Sequence, residues 1–451
     1  MNIYLHNTLT GKKELFTPIK KGAVGIYQCG PTVYDTVHIG NLRTSVLYDI
    51  VRRVFEFNDY TVTQVMNITD VDDKTIRRSS EENVALSILT QKYEKLFLDD
   101  VAVLHIKPPH ILLRATEAIP EIIALIETLL KKGFAYKADD GIYFSIKKSK
   151  GYGVLARLSV ESHTEERIHN DEYDKEHPRD FALWKFSESG DEKVVWEAPF
   201  GKGRPGWHIE CSAMSIKALG HTIDIHMGGA DLIFPHHTNE IAQSEAATGE
   251  LFVHYWLHGG MVNVNDDKMA KSKKNFLKRV DLEEQGISPV AYRYWLLSAH
   301  YRTQVNVTLE ALQAAQTALT KLLRHFMDFE NGGSADARYI EQFNTLINDD
   351  VDMPKALALT WELVKSKTVK PEDKKATLLE FDKVLGLDLA ALAAAEIQEP
   401  TPPEITALAE EREVARKEKD WQKADALRNE LLSRGYDVKD TEKGFELKKV
   451  T

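Results

Sequence analysis

Apolar residues recur at Leu42, Val46, Leu47, Ile50, Val51, Val54 and Phe55, the three-and-four spacing of a helix with one buried face. A short apolar run, "VGIYQ" over 24–28, precedes it and reads as a buried strand. "YTVTQVMNITD" follows it and reads as a second strand. Strand, loop, helix and strand in so short a span form a βαβ unit, which predicts a parallel sheet. The loop after the first strand then lies at the carboxyl end of that sheet, where ligands bind in open α/β folds.

The pattern changes between about 95 and 200. Ile119, Ile122, Ile123, Ile126, Leu129 and Leu130 line one side of a helix that stops at "KKGF", with Lys131 and Lys132 suited to its last turn and Gly133 to the residue after it. "YKADDGIYFSI" reads as a hairpin with Asp140-Gly141 at the turn. This region is expected to be an insertion between two halves of the sheet domain, which resumes near "HTIDIHMGG". From about residue 300 the chain is alanine-rich and helical, as in "TLEALQAAQTALTKLLRHF", and predicts a bundle. "EPTPPE" marks a linker. One last continuous helix, "ITALAEEREVARKEKDWQKADALRNELLSRG", is expected to lead into a short tail. The fold class is therefore α/β. A Rossmann-like parallel-sheet domain (1–95 and 201–305) carries an inserted connective domain (96–200). An α-helical bundle (306–398) and a small C-terminal segment (404–451) follow.

Composition narrows the class. A length of 451 residues suggests roughly two to four domains. Hydrophobic residues at 43% allow sizeable cores, and mean hydropathy is −0.35. No apolar run approaches the roughly 20 residues that span a bilayer, so no membrane partner is expected. The first residues, "MNIYLHNTLTGKKELF", have neither the shape of a signal peptide nor that of a transit peptide, and a cytoplasmic location is expected. Two cysteines make no disulfide framework; in a reducing compartment they are free, buried, catalytic or metal-bound. A net charge of −11 argues against a wholly basic nucleic-acid-binding surface, but local basic stripes are compatible with it.

The cysteines are Cys29, nine residues before a "HIGN" turn, and Cys211 in "GWHIECSAM". Further on, "FPHHTNEIAQSEA" holds His236 and Glu240, which share a helix face at a spacing of four, with Pro235 in the first helical turn. His237 is the alternative, but its partner at that spacing is Ile241. Cys29, Cys211, His236 and Glu240 are all acceptable zinc ligands. On spacing alone, the simpler reading is two buried cysteines and a surface His-Glu pair. "HIGN" sits where the first loop meets a helix N-terminus. His38 and Asn41 can donate to phosphate there, the helix dipole favours an anion, and Gly40 allows close backbone approach. Much later, "DDKMAKSKKNF" carries Lys268 and Lys271, whose mobile charges can follow a departing pyrophosphate. Each signature is weak alone; the pair in this order is specific.

At these residues the chain resembles the class I aminoacyl-tRNA synthetases. "CGPTVYD", "NITDVDDK", "RPGWHIECSAM", "DLIFPHH" with "NEIAQSEA", and "KDWQKADALR" resemble the cysteinyl-tRNA synthetase family, from about residue 1 to about 445. The resemblance implies one Zn²⁺ per monomer on Cys29, Cys211, His236 and Glu240, and Mg²⁺ with ATP. It places Thr69, Trp207 and Asp231 around the substrate L-cysteine; as a residue type, Trp207 also fits a plain core role. His38, Gly40, Asn41, Lys268 and Lys271 bind ATP, and all of these but Gly40 act on the reaction. In the tail, Trp421 either stacks on an anticodon base of tRNA(Cys) or seats the terminal helix, with Arg416, Lys423 and Arg428 as basic neighbours. Asn41 stands where the family usually has a second His, Ala270 where it has Ser, "KKN" where it has "LGN", and Thr238 where it has Glu. An open position among soft ligands would select a thiolate over a hydroxyl without an editing site, and the insertion is short for one. A monomer is expected.

Two rivals remain at this stage. A zinc-dependent ligase joining cysteine to an amino sugar, as in mycothiol synthesis, resembles the catalytic part but lacks a tRNA-binding tail. A non-catalytic tRNA-binding paralogue would have lost His38, Lys271 or a zinc ligand, and all are present.

Overall fold

The two apolar runs around the first helix form neighbouring parallel strands, Ala23–Gln28 and Thr61–Ile68. They lie inside a five-stranded sheet ordered Val253–Gly259, Ile223–Gly229, Ala23–Gln28, Thr61–Ile68, Ile111–Arg114, and every pair in it is parallel. Ile26, Tyr27, Val65, Ile225 and Met227 are buried, as expected of strands covered on both faces. The structure is a computed structural model; it describes residues 2–158, 167–168, 179–187, 194–264, 267–268, 276–398, 402–441 and 444–449.

The chain runs outward from Ala23–Gln28 to Ile111–Arg114, then crosses back to the other side of Ala23–Gln28 to form Ile223–Gly229. That reversal leaves a crevice beyond the carboxyl ends of the two central strands. Cys29 is the next residue after one of them and Ala230 after the other. Ile111–Arg114 lies inside the segment expected as an insertion, yet it is the edge strand of the main sheet. Its apolar run is too short for periodicity to reveal.

The helix after the first strand spans Ile39–Phe57, and all seven apolar positions expected to face inward are buried. Charged residues are buried on it too. Asp49 lies between Arg53 and Arg293, with Nε and Nη2 at 2.7 and 2.5 Å from its Oδ2. The pair of guanidinium groups overrides the effect of burial and holds the Asp49 carboxyl below the usual range.

The insertion contains helix Ile119–Lys131, ended by Gly133 at φ 79°, and most of a second sheet. Its antiparallel strands run Gly203–Pro205, Asp180–Phe186, Gly141–Phe144, Ala135–Lys137, with Arg167–Ile168 paired parallel to Asp180–Phe186. The edge strand Gly203–Pro205 lies beyond the expected boundary at 200. The expected hairpin forms, but Gly141 opens the second strand rather than sitting in the turn. A Cβ there would strike the Trp184 carbonyl oxygen.

Two compact units divide the chain: Met1–Thr317 with Glu330–Leu387, and Ala318–Phe329 with Asp388–Thr451. The first holds both sheets and the helices Ala337–Ile347, Met353–Lys365 and Pro371–Leu385. Its N-terminal strand, Tyr4–Asn7, docks on residues near 350: Tyr4 N donates to Asn348 O at 2.8 Å and Asp350 N to Tyr4 O at 2.9 Å. Asp350 Oδ1 accepts from His6 N (2.8 Å) and Tyr301 Oη (2.7 Å), and Arg302 pairs with its Oδ2 at 2.8 Å. Asp350 and Val351 hold left-handed φ values of 61° and 56° to make this turn.

In the second unit, the terminal helix expected to be continuous is two helices, Pro403–Lys417 and Trp421–Ser433. Lys419 adopts φ 62°, and Asp420 caps the second helix by accepting from Lys423 N at 3.1 Å. A left-handed residue cannot continue a helix, and an aspartate next to it supplies the restart. The tail ends in an antiparallel hairpin, Tyr436–Thr441 with Gly444–Lys449, over a core of Ile405, Ala409, Leu431 and Val438.

Candidate active site and metal centre

Cys29, Cys211 and the pair His236 and Glu240 come from three separate pieces of chain, and their donor atoms lie within 4.8 Å of one another. Cys29 leaves the central strand, and Cys211 sits in the second turn of helix Trp207–Leu219. His236 lies in the kinked turn Ile233–His237, and Glu240 in the first turn of helix Thr238–Thr248. Pro235 thus precedes the regular helix instead of starting it, because Phe234 is extended at φ −134°, ψ 134°. The expected pairing survives: His236 Nε2 is 3.1 Å from Glu240 Oε1. Cys29 Sγ is 4.0 Å from Cys211 Sγ and 3.9 Å from Glu240 Oε1.

A second set overlaps the first: Cys29, His226, His237 and Glu240. His237 Nε2 is 3.3 Å from Cys29 Sγ, and His226 Nε2 is 3.0 Å from Glu240 Oε2. Helical spacing gave His237 no ligand partner, but His226 arrives from strand Ile223–Gly229. His237 Nδ1 lies 2.7 Å from His258 Nε2, and His258 Nδ1 lies 2.8 Å from Thr8 Oγ1. His208 Nδ1 meets His236 Nδ1 at 3.0 Å, which leaves Nε2 of His236 facing the cluster. His208, His226 and His258 escaped the sequence reading, and His237 was weighed there only as an alternative to His236. The available signal was a histidine two residues after Asp224 in the strand "IDIHMGG".

The electrostatics of the first set suit a cation. Burial raises the Cys29 thiol pKa, and Cys211 and Glu240 add to it. The Cys29 hydrogen bond, with His236, brings Cys211 down to about 6 against its burial. Burial also opposes charge on Glu240, but His226 and His236 hold it down to about 2. Likewise Cys211 and Glu240 hold His236 up to about 10 against the same burial. Two thiols and a carboxylate crowded in a dry site compete for one positive partner, and a divalent ion would displace the protons. Soft thiolates with an imidazole and a carboxylate fit zinc.

Beside the cluster is a cavity of about 180 Å³ lined by Cys29, Thr32, Asn41, Tyr48, Trp207 and Asp231. The Trp207 ring lies 4.4 Å from that of His236. Thr69 is buried and bridges to Thr32 of the loop: its hydroxyl donates to Glu210 Oε2 at 3.1 Å and accepts from Asn67 Nδ2 at 3.3 Å. Glu210 was also missed; burial, followed by Cys211, raises its carboxyl well above the usual range. His38 and Asn41 cap the helix that starts at Ile39, with His38 N donating to Asn41 Oδ1 (3.1 Å) and Asn41 N to His38 Nδ1 (3.3 Å). Gly40 is in its first turn. Lys268 is in the short strand Asp267–Lys268, opposite Asn263; its side chain and all of Lys271 lie outside the described residues.

In the second unit Trp421 is 60% exposed. The basic residues around it are paired: Arg416 with Asp440 (2.6 Å), Lys423 with Glu411 (2.8 Å) and Arg428 with Asp437 (3.5 Å). Among the described residues no helix is long and apolar enough to cross a membrane.

Residues 15–317 match the class I (C) tRNA synthetase catalytic domain, and residues 399–446 match the cysteinyl-tRNA ligase anticodon binding domain. A cysteine–tRNA ligase of Brachyspira hyodysenteriae is 42% identical, with 99% of each chain covered. One from Burkholderia lata is 43% identical over 99% of this chain and 97% of its own. Among solved structures, methionyl-tRNA synthetase of Mycobacterium tuberculosis bound by methionyl-adenylate superposes with a TM-score of 0.57 at 15% identity, covering 87% of this chain and 93% of that one; at that identity the likeness is one of fold. With its catalytic and anticodon-binding segments both matched and its full length aligned to such relatives, the chain belongs to the cysteinyl-tRNA ligase family of class I tRNA synthetases.

Proposed function

We propose that the chain joins L-cysteine to tRNA(Cys) in two steps, and that a zinc ion selects the amino acid. The observation that carries this is the convergence of Cys29, Cys211, His236 and Glu240 at the switch-point crevice, beside a cavity that also holds Asn41 of the first signature. Those four residues would hold the metal, which supplies a soft position open to the substrate's sulfur. Trp207, Asp231 and Thr69 bound the rest of the substrate. Its carboxylate attacks the α-phosphate of ATP, Mg²⁺-pyrophosphate leaves, and the cysteinyl adenylate acylates the 2′-hydroxyl of the tRNA's terminal ribose. No enzyme nucleophile takes part. His38 and Asn41, with Gly40 allowing close approach, meet the phosphates at the helix N-terminus; Lys268 and Lys271 stabilise the charge that builds on the leaving pyrophosphate.

Labour is divided along the chain. Segments 1–95 and 201–305 activate cysteine around the connective insertion 96–200, the bundle 306–398 supports them, and 404–451 reads the anticodon. There Trp421 offers a stacking surface, and Arg416, Lys423 and Arg428 trade their acidic partners for phosphates. The protein works as a cytoplasmic monomer. The amino-sugar ligase reading is disfavoured by the match of 399–446 to an anticodon binding domain. Cysteine-dependent ATP–pyrophosphate exchange followed by tRNA charging tests the proposal. Exchange without charging, with a small amine accepting the cysteine instead, would hand the case to that rival.

A further inference from the structure

We infer that Arg43, which is outside both signatures, is a positioning residue that anchors a stem of the second signature's segment to the helix that begins at the first. It rests on the adenylation reading above. Arg43 is 6% exposed, and burial lowers its pKa. Its hydrogen-bond partners are backbone carbonyls. Nη1 donates to Met261 O at 2.7 Å, and Nη2 donates to Tyr301 O at 3.1 Å and to Thr303 O. Burying a guanidinium without a carboxylate is costly. What its planar fork of donors provides in return is geometry: one rigid group ties two distant segments to a single helix.

Those segments matter because of what they carry. Met261 leads directly into strand Val262–Val264, which pairs on one side with Val305–Val307 and on the other with Asp267–Lys268. Val305 N donates to the same Met261 carbonyl at 3.1 Å. Gly260 packs so close that a Cβ would lie 2.6 Å from Thr303 O. Asn263 stands opposite Lys268, so the backbone of that lysine is one hairpin rung from the anchored stem. The other stem returns to the same helix. Ile39 N accepts no intrahelical role and donates to Leu277 O at 3.0 Å, and the His38 ring meets Phe276 edge-on with centroids 4.9 Å apart. Ile39 and Arg43 are one turn apart on the helix. A single turn therefore holds both stems of the segment that bears Lys268 and Lys271, and that same turn begins at His38 and Asn41. The stems on either side of the lysine-bearing segment are thus tied to the helix that begins at the first signature by contacts already in place.

The test compares Arg43→Lys, Arg43→Met and Arg43→Ala in the full chain. Pyrophosphate exchange, equilibrium cysteine binding, thermal unfolding and trypsin cleavage within 265–275 are measured. Misplacing reacting groups by about 1 Å costs about 10²-fold in rate, so Arg43→Met should lower the exchange kcat by about that much. KM for cysteine should stay within about threefold, because the zinc cluster lies elsewhere. Arg43→Lys, which can reach some but not all of the carbonyls, should fall in between, and added methylguanidinium should restore part of the activity of Arg43→Ala. Trypsin should cut the lysine-bearing segment faster in Arg43→Met than in the parent. Unchanged kcat and unchanged cleavage would overturn the inference, as would a loss of cysteine binding parallel to the loss of rate. If the parent chain showed no cysteine-dependent exchange, the functional reading would fall, while the cleavage comparison would still decide the role of Arg43.

Discussion

Replacing Gly30 by alanine probes how rigidly the cavity holds Cys29. A Cβ at position 30 would fall inside the Asn67 carbonyl oxygen's contact radius, 2.9 Å from its carbonyl carbon and 3.1 Å from Met66 Cγ. Asn67 belongs to the buried strand Thr61–Ile68, paired on both sides, so the loop must yield rather than the sheet. Three hydrogen bonds tie the loop there: Gly30 N to Asn67 Oδ1 (3.0 Å), Thr69 N to Pro31 O and Val33 N to Thr69 O (both 3.2 Å). At about 1 kcal/mol each their loss costs about 3 kcal/mol, a large share of the stability of an ordinary domain. The functional cost is separate. Cys29 moves with Gly30, and metal–ligand distances tolerate only about ±0.2 Å. Gly30→Ala should therefore purify with less than stoichiometric zinc and exchange pyrophosphate about 10²-fold more slowly. Excess zinc should recover some of that rate. Elemental analysis, exchange kinetics and thermal melts on the same preparation decide it. Full zinc occupancy with wild-type exchange would refute the claim that the sheet end holds the cysteine in place.

Cys29→Ser should weaken cysteine binding far more than ATP binding if, as proposed, only cysteine needs the metal; equal losses in paired titrations would indicate general misfolding. Cutting the chain at the linker near Pro400 should leave pyrophosphate exchange nearly intact and sharply reduce tRNA charging, with a shallower salt dependence of tRNA binding. Charging at full rate by the shortened chain would move anticodon recognition out of the tail.

The periodic features of the fold were legible in the sequence. Leu42 through Phe55 announced their helix, and the strands beside it followed from short apolar runs. What pattern could not supply was polarity turned inward. Nothing in the spacing marks Asp49, Arg43, Arg53 and Arg293 as buried; the carbonyls and carboxylates that receive them come from distant parts of the chain. Ile111–Arg114 was too short to register, and the break at Lys419 hid inside a run of good helix formers. The four expected metal ligands did converge. Yet reasoning by spacing along one helix passed over His226 and set His237 aside, because a site built from separate chain segments recruits donors across the sheet.

The docking of Tyr4–Asn7 onto Asp350 has a consequence for how the protein is made. His6 and Asp350 are 344 residues apart, and synthesis at about 5–20 residues per second separates their emergence by roughly 20 to 70 s. Until residues 254–256 emerge the first strand has only its hairpin neighbour Lys12–Leu15, and a lone two-stranded hairpin is marginal in water; then Asn7 Nδ2 can donate to His254 O and Asn7 Oδ1 can accept from Trp256 N. The backbone groups of Tyr4 and His6 that later meet Asn348 and Asp350 stay open to wrong partners for the whole interval. The last contact made by the first residues is thus with the bundle. Ribosome-bound chains ending before 348 should be nicked by protease near Lys12 and Lys13, whereas chains extending well past 350 should resist. Strand Tyr4–Asn7 waits for a residue 344 positions beyond His6 in its own unit, and the left-handed turn at Asp350 and Val351 closes the contact.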